Sequence, residues 1–316
     1  MKFASLVKNR KALAGLILFA IVVLVAAFPG LFATDSNPSL MGEYGINLGP
    51  SGSHWLGTTS YGQDIYSELI YGARQVLVIA LVAGACATVL SVLIGITAAY
   101  MGGIVDEALS LMTNVVLILP TFPLMIILAK YAGQSDTVMI AVLVATGWSY
   151  GANQMRAQAL SLRNRDFLEA ARVRGERRSY IILFEMMPTM TSLIVANFLG
   201  SALYSVLAAS GLQFIGLGNT TSESWGTMLY NANQAEALQA GNSLWIIAPG
   251  IAIAILSAAF ALMNYAFDEI GNPALRPVRR KDLRKSRKAD RLAAAGAANA
   301  RKGVDDVEPD VYADAS

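Results

Sequence analysis

The sequence predicts an all-α, polytopic membrane protein with about six spanning helices, and three observations carry that prediction. Hydrophobic residues make up 55% of the 316-residue chain and charged residues 15%, well below the roughly 25% charge of a typical soluble domain. The apolar residues gather in runs long enough to cross a bilayer, since a helix rising about 1.5 Å per residue needs roughly 20 residues for a hydrocarbon core about 30 Å thick. Lys and Arg cluster in alternate connecting segments, as expected of a chain that crosses a membrane repeatedly.

The first run covers residues 12–32 and follows Lys2, Lys8, Arg10 and Lys11. A cleavable signal peptide is the other reading of this start, because basic residues precede an apolar stretch reaching Val25-Ala26-Ala27. The run continues to Phe32 and is long enough to span, and its retention keeps the helix count even. Residues 34–60 are rich in Gly, Ser, Asn and Thr, and a mixed segment ending in Ile70-Tyr71-Gly72-Ala73-Arg74 follows. This pattern predicts a loop and then a short interfacial helix.

The second run, 76–101, holds the lone Cys86, so no disulfide within the chain is possible and the thiol reads as inert, facing lipid or another helix. The third, 108–132, contains Leu119-Pro120-Thr121-Phe122-Pro123. Two prolines three apart remove backbone donors and should kink or break the helix, either to line a path or for packing alone. The fourth, fifth and sixth runs cover 138–157, 191–214 and 244–265. Small residues such as Gly84, Gly95, Gly147, Gly151 and Gly200 would let these helices approach closely, because apolar burial gives no drive between helices in lipid.

Beyond the last run, residues 276–316 are basic from Arg276 to Arg291, then Ala-rich, then acidic at Asp305, Asp306, Glu308 and Asp310. They read as a disordered tail whose basic half either touches anionic lipid or is a solvated, orientation-setting charge run. The implied organisation is a stub with the first helix (1–33), an outer segment (34–75), a five-helix core (76–275) that includes a polar loop (159–190), and the tail (276–316). No internal repeat stands out.

An even helix count puts both termini on one side. Residues 34–73 and 215–243 lack Lys and Arg, whereas the loop between the fourth and fifth runs carries Arg156, Arg163, Arg165, Arg172, Arg174, Arg177 and Arg178. The positive-inside rule therefore places both termini and the Arg-rich loop in the cytoplasm. The segment 102–107 should also be cytoplasmic yet carries Asp106 and Glu107 and no basic residue; acidic residues count little in this rule.

Within the Arg-rich loop, Asp166 followed three residues later by Glu169 predicts a capping box and a helix start. Phe167, Leu168, Ala170, Ala171 and Val173 give the helix an apolar side, Arg172 lies within it, and Gly175 suits a left-handed stop. A helix this short is not stable alone. It packs on a partner, folds back on its own spans, or lies at the lipid surface.

Glu169-Ala170-Ala171, then three residues, then Gly175, with Pro188 thirteen residues further on, resembles the signature loop of ABC-type importer permeases. The resemblance implies the type I ABC importer permease fold, and it makes Asp166–Gly175 a coupling helix that docks on a separate ATPase subunit. The matching positions are Glu169, Ala170, Ala171 and Gly175. The family usually has Ile-x-Leu-Pro at the end of the signature, and here Glu185-Met186-Met187-Pro188 stands in its place. Coupling should survive a Leu-to-Met exchange, whereas Glu185 at the usual Ile position has no explanation at this level.

Further segments are similar to the second permease type of dipeptide, oligopeptide and nickel importers. They are His54-Trp55-Leu56-Gly57-Thr58, Gly62-Gln63-Asp64, Ile70–Arg74, Pro120–Leu124, Phe214-Ile215-Gly216-Leu217-Gly218 and Ser224–Leu229. Pro120, Phe122, Pro123, Gly216, Gly218 and Trp225 are accordingly candidates for the translocation path. The family more often has Pro, Asp and Arg where this chain has Trp55, Thr59 and Gln63.

Other classes fit less well. An ion-coupled transporter places ionisable groups at mid-membrane, whereas Arg74, Lys130 and Arg156 sit at the ends of the runs. The sole histidine, His54, reads as a solvent-exposed loop residue rather than a metal ligand, having no second His and no Cys nearby. No His-Glu-x-x-His occurs, and the absence of any Gly-Lys pair rules out a phosphate-cradling P-loop. The expectation is therefore a non-enzymatic transport subunit of a bacterial inner membrane with no cofactor or metal of its own. ATP and Mg would sit on two ATPase partners, beside a homologous permease subunit, an extracytoplasmic substrate-binding protein and membrane lipids, and no nucleic acid is involved. Peptides are the first expectation for the substrate, oligosaccharides the second and nickel the third, and a membrane receptor or scaffold is the alternative of another class.

Overall fold

The computed structural model describes residues 10–219 and 222–271, with side chains to residue 267. The basic stub before Arg10 and the predicted tail 276–316 lie outside the described residues. In chain order the elements are α1 (Arg10–Ala27), α2 (Pro29–Phe32), α3 (Ile65–Met101), α4 (Gly103–Ile118), α5 (Thr121–Ala132), α6 (Asp136–Leu162), α7 (Asp166–Val173), α8 (Arg178–Tyr180), a π-helical segment (Ile181–Met186), α9 (Met187–Thr189), α10 (Thr191–Phe214), α11 (Trp225–Gln234) and α12 (Leu244–Gly271). Among the described residues there is no β-strand, only an isolated bridge between Thr58 and Asp64.

Helices α1, α3, α10 and α12 are long and apolar enough to cross a membrane, and the bent pair α4–α5 makes a fifth candidate. The predicted fourth run lies within α6, which at 27 residues is long enough to span but too polar to pass as an apolar helix. Of its polar residues, Thr146, Ser149, Tyr150 and Gln154 line one cleft, described below.

The expected interfacial helix before the second span does not form. Residues 65–75 are instead the first turns of α3, a single 37-residue helix, about 56 Å long at 1.5 Å per residue. Asp64 caps it by accepting from the Ser67 N–H at 2.9 Å, and a polar pair such as Arg74-Gln75 does not interrupt a backbone ladder. The first run is likewise not one helix: Pro29 ends α1 at Ala27 and begins α2, having no N–H to continue the ladder.

The proline pair breaks the third run with a bend of 90°. Pro120 disfavours helical backbone at the residue before it, and Leu119 is extended at φ −64°, ψ 137°. Pro123 falls in the first turn of α5, where its missing N–H would have had no partner anyway.

The most extensive helix contacts are between α3 and α6, then α10 with α3 and with α12. The predicted small residues sit at such contacts: Gly84 of α3 lies against Ala202 of α10, and Gly95 of α3 against Ala152 and Met155 of α6. One buried cluster joins α1, the first half of α3, α10, α11 and α12 around Trp225, Trp245 and Phe260. A second joins the far end of α3 to α6 and α7.

The start of α3 lies under residues 33–64, whose polar side chains are tied into the helices. Asp64 Oδ2 accepts from Thr34 and Ser67, and Asn242 Nδ2 donates to the Thr58 carbonyl at 2.7 Å. His54 is not solvent-exposed as expected: only 13% of its side chain is accessible, its Nδ1 lies 3.0 Å from Asp64 Oδ1, and its ring meets Tyr44 edge-on. The lone Cys86 is exposed on the surface of α3.

Candidate functional site

Two features carry the functional reading, one at the α7 end of the bundle and one within it. At the α7 end, the helix begins one residue earlier than a capping box at Asp166 requires. The N-cap is Arg165 and makes no side-chain cap bond, so Asp166 and Glu169 are both first-turn acids. Their contribution is a favourable charge at the helix N-terminus rather than reciprocal capping. The stop is as expected: Gly175 has φ +78°, its N–H donates to the Arg172 carbonyl, and the Glu176 N–H donates to Ala171. That is the paired bonding of a Schellman motif.

The five apolar residues of α7 divide between two directions. Leu168 and Ala171 are fully buried in the cluster formed by Ile96 and Ala99 of α3, Met155 and Ala159 of α6, and Ile181 and Met186. Phe167, Ala170 and Val173 are exposed together with Asp166 and Glu169, Val173 at 85% of its surface. Arg172 folds back, lying over the Tyr100 ring at 5.5 Å and donating to the Arg163 carbonyl. Thus α7 is anchored to the spanning helices by one face and offers the other outward. Glu185, unexplained from sequence, lies 3.4 Å from Arg174 just past the helix end. Pro188 is exposed in α9, ahead of α10.

Next to this region, Asp106 of α4 takes a two-pronged ion pair from Arg156 of α6, and the Arg163 guanidinium lies over Gly102. The acidic segment 102–107 is therefore matched by basic residues from a neighbouring helix, which a count along the chain does not reveal.

The second feature is a cleft of about 380 Å³ between the α4–α5 break, α6, α10 and α12. Leu117 and Thr121 flank the break, Thr146, Ser149 and Gln154 come from α6, Asn197, Ser201 and Tyr204 from α10, and Asn264 from α12. Sequence reasoning missed these residues. Polar side chains recurring every three or four positions within an apolar run were the available signal, since that spacing marks one helix face.

The six residues expected on the path do not line this cleft. Pro120 and Pro123 shape the bend beside it, and the Phe122 ring lies close to Gly211. Gly216, at φ +80°, ends α10 in a second Schellman pattern, with Gly216 N–H to Gln213 and Leu217 N–H to Leu212. Gly218 is approached by Gln213 and Met139. Trp225 is buried and donates Nε1–H to the Leu69 carbonyl at 2.8 Å, joining α11 to α3.

Gly147-Trp148-Ser149-Tyr150-Gly151 does have the Gly-x-Ser-x-Gly spacing of some hydrolases. Here the buried Ser149 sits within α6 rather than on a strand-to-helix turn, and the sole histidine is bound to Asp64 near the start of α3. Ser149 therefore does not pair with that histidine. Among the described residues, no group of three His, Cys, Asp or Glu could hold a metal ion.

The chain matches the family described as binding-protein-dependent transport system inner membrane component over residues 91–276, more than half its length. The dipeptide transport system permease protein DppC of Alkalihalophilus pseudofirmus is 29% identical over 282 residues, covering 87% of this chain and 89% of its own. DppC of Bacillus subtilis is 28% identical over 271 residues, covering 85% and 83%. The oligopeptide transport system permease protein OppC of Mycobacterium tuberculosis is 29% identical over 215 residues, covering 67% and 73%. In fold, the chain is similar to one from the MetNI methionine ABC transporter in an inward-facing form, with a TM-score of 0.53 at 16% identity over 66% of this chain and 97% of that one. A helical bundle with several membrane-crossing segments and a family match of this extent lead to one conclusion: the chain belongs to the binding-protein-dependent transport system inner membrane components, as a multi-pass permease subunit of an ABC importer.

Proposed function

We propose that this chain forms half of the translocation path of a peptide importer and takes its drive from a separate ATPase through α7. The observation that carries the reading is the two-faced seating of α7. Its buried Leu168 and Ala171 fix it to α3 and α6, while Phe167, Glu169, Ala170 and Val173 are left to meet another surface. A push on the outward face is transmitted through packed side chains to α6, which also lines the polar cleft. Peptide as the substrate class is supported by the DppC and OppC relatives.

In this reading the α7 end and both termini face the cytoplasm, as the arginines of residues 156–178 favour. Residues 33–64 face outward toward an extracytoplasmic substrate-binding protein. A homologous permease completes the path, and ATP with Mg binds on two ATPase subunits, this chain contributing no nucleotide site. Asp166, Phe167, Leu168, Glu169, Ala170, Ala171, Arg172, Gly175 and Pro188 form or flank the docking element.

The test is co-purification of the ATPase with the detergent-solubilised chain, wild type against Glu169→Arg, alongside peptide uptake. Glu169→Arg should release the ATPase and abolish uptake while membrane insertion is unchanged. A chain that purifies alone in both forms would support a receptor or scaffold instead.

A further inference from the structure

Just past α7 the chain carries aromatic and basic side chains that its own helices leave uncovered. Arg177, Arg178, Tyr180, Leu183 and Phe184 are all exposed, Phe184 at 63% of its surface. The Tyr180 and Phe184 rings lie against each other with their centroids 4.9 Å apart. The same stretch is firmly held on its other side. Ile181 and Met186 are fully buried in the cluster that contains Ile96 and Ala99 of α3.

That packing sets the depth of the exposed side. Ile96 and Ala99 belong to the last turns of α3, which ends at Met101, and Arg178 Nη1 donates to Met101 Sδ at 3.6 Å. The apolar run 76–101 extends about 39 Å at 1.5 Å per residue, close to the roughly 40–45 Å of a bilayer with its headgroup layers. Met101 therefore stands at headgroup level, and Arg178 with it. Exposed aromatic rings at that depth meet lipid, where amphipathic and aromatic side chains are favoured.

The positive charge here has no match within the described residues. Glu176 and Glu185, the nearest acids in sequence, lie 3.8 and 3.4 Å from Arg174, whereas neither Arg177 nor Arg178 forms an ion pair. A zwitterionic headgroup would bring an ammonium that finds no free carboxylate among these side chains. An anionic headgroup brings only what two guanidiniums can hold. We propose that Arg177 and Arg178, with Tyr180, Leu183 and Phe184, form a binding site for an anionic phospholipid such as phosphatidylglycerol. The guanidiniums take the phosphate through charge-assisted hydrogen bonds, and the aromatic and leucine side chains pack on the upper part of the acyl chains. A lipid held here braces the segment between α7 and α10 at the membrane surface, whatever cargo the importer carries.

The test is photolabelling of the full chain in phosphatidylcholine nanodiscs that contain a trace of lipid with a diazirine in its acyl chain. The probe is phosphatidylglycerol in one sample and phosphatidylcholine in the other, and labelled residues are mapped by mass spectrometry. Phosphatidylglycerol should label residues 180–184 more than phosphatidylcholine does, by roughly five- to thirtyfold, the effect of one to two arginines beside an anionic headgroup. Arg177→Gln with Arg178→Gln should bring the two probes to the same level, and lysine at both positions should restore most of the difference. Labelling of the exposed Leu16 and Ile17 of α1 should be alike for both probes in every variant, which shows that each one is folded and inserted.

Equal labelling of residues 180–184 by the two probes in the wild type would mean a lipid-facing side without a headgroup site, and the proposal fails. Labelling at α1 but not at residues 180–184 would mean that protein covers this side, which also overturns it. So would a preference for phosphatidylglycerol that disappears when the ATPase is bound, because the surface would then belong to that subunit. The readout needs neither ATP nor peptide, so a chain that imports no peptide yet labels as expected overturns the importer reading and leaves the lipid site standing.

Discussion

Arg156 of α6 grips Asp106 of α4 with both prongs of its guanidinium, Nε to Oδ1 at 2.6 Å and Nη2 to Oδ2 at 2.8 Å. Ser110 donates to the same carboxylate from one turn further on. The pair stands just beyond the single-residue joint at Gly102 that links α3 to α4, so it fixes α4 to the helix that leads into α7. Both side chains are largely shielded. Removing one partner strands the other, which costs more than losing the pair as a unit.

Asp106→Ala should therefore destabilise the chain by about 1–3 kcal/mol, read as a lower unfolding midpoint in detergent. Arg156→Lys should recover little, because an ammonium keeps the charge but not the planar fork. A double variant that removes both partners and proves more stable than either single one would confirm the coupling. Equal, small effects from all three would show that the pair is solvated and adds little to stability.

Gly175→Ala isolates the cost of the stop behind α7. A β-carbon there would meet no neighbouring atom, so the whole penalty is conformational, about 1–2 kcal/mol for an L-residue in the left-handed region. The expected result is faster hydrogen exchange at the α7 amides with little change in the spanning helices. Gly175→Asn should be milder, since Asn tolerates this conformation.

Much of this architecture is legible in the sequence because lipid imposes simple demands. The run 191–214 matches α10 residue for residue, since an apolar stretch in a bilayer has little choice but to close its own hydrogen bonds. Helix ends set by single side chains are less legible. Asp64 caps α3 about three helical turns before the apolar run begins, whereas Asp166, with the same residue type and similar spacing, is not a cap. The outcome depends on the aspartate's own backbone angles, extended at Asp64 (φ −77°, ψ 114°) and helical at Asp166, which tertiary packing sets. The site is legible only where it is local. Gly175 announces its left-handed bend, but the cleft needs Gln154, Asn197 and Asn264, from three helices, to face one another.

Gly95→Ala and Gly250→Ala should change stability in opposite directions although both lie within spanning helices. At Gly95 of α3 a β-carbon would run into the Ala152 carbonyl, the Met155 β-carbon and the Arg156 backbone nitrogen of α6, none of which can swing aside. Overpacking of this kind costs about 1–3 kcal/mol. At Gly250 of α12 a β-carbon meets nothing, and replacing a mid-helix glycine by alanine stabilises by roughly 0.5–1 kcal/mol. Thermal unfolding of the isolated subunit in detergent would show both effects, and a neutral Gly95→Ala would mean that α3 and α6 do not pack this closely.

Glu236 should be replaceable by glycine with a gain in stability. It lies just past α11 at φ +50°, one of two non-glycine residues among those described with positive φ. Its N–H donates to the Asn233 carbonyl and the Ala237 N–H donates to Ala232, the same Schellman bonding that Gly175 and Gly216 supply at the ends of α7 and α10. Here a glutamate occupies the glycine position. Its left-handed backbone costs about 1–2 kcal/mol, and glycine's extra unfolded-state entropy returns roughly 0.5–1 kcal/mol of the relief. Glu236→Gly should therefore raise stability by about 0.5–1 kcal/mol, the difference of those two terms. The side chain is exposed, so little packing is lost. A higher unfolding midpoint with unchanged peptide uptake would make the strain purely local. A higher midpoint with weakened uptake would mean that the carboxylate is kept at this strained position because something beyond the chain binds it.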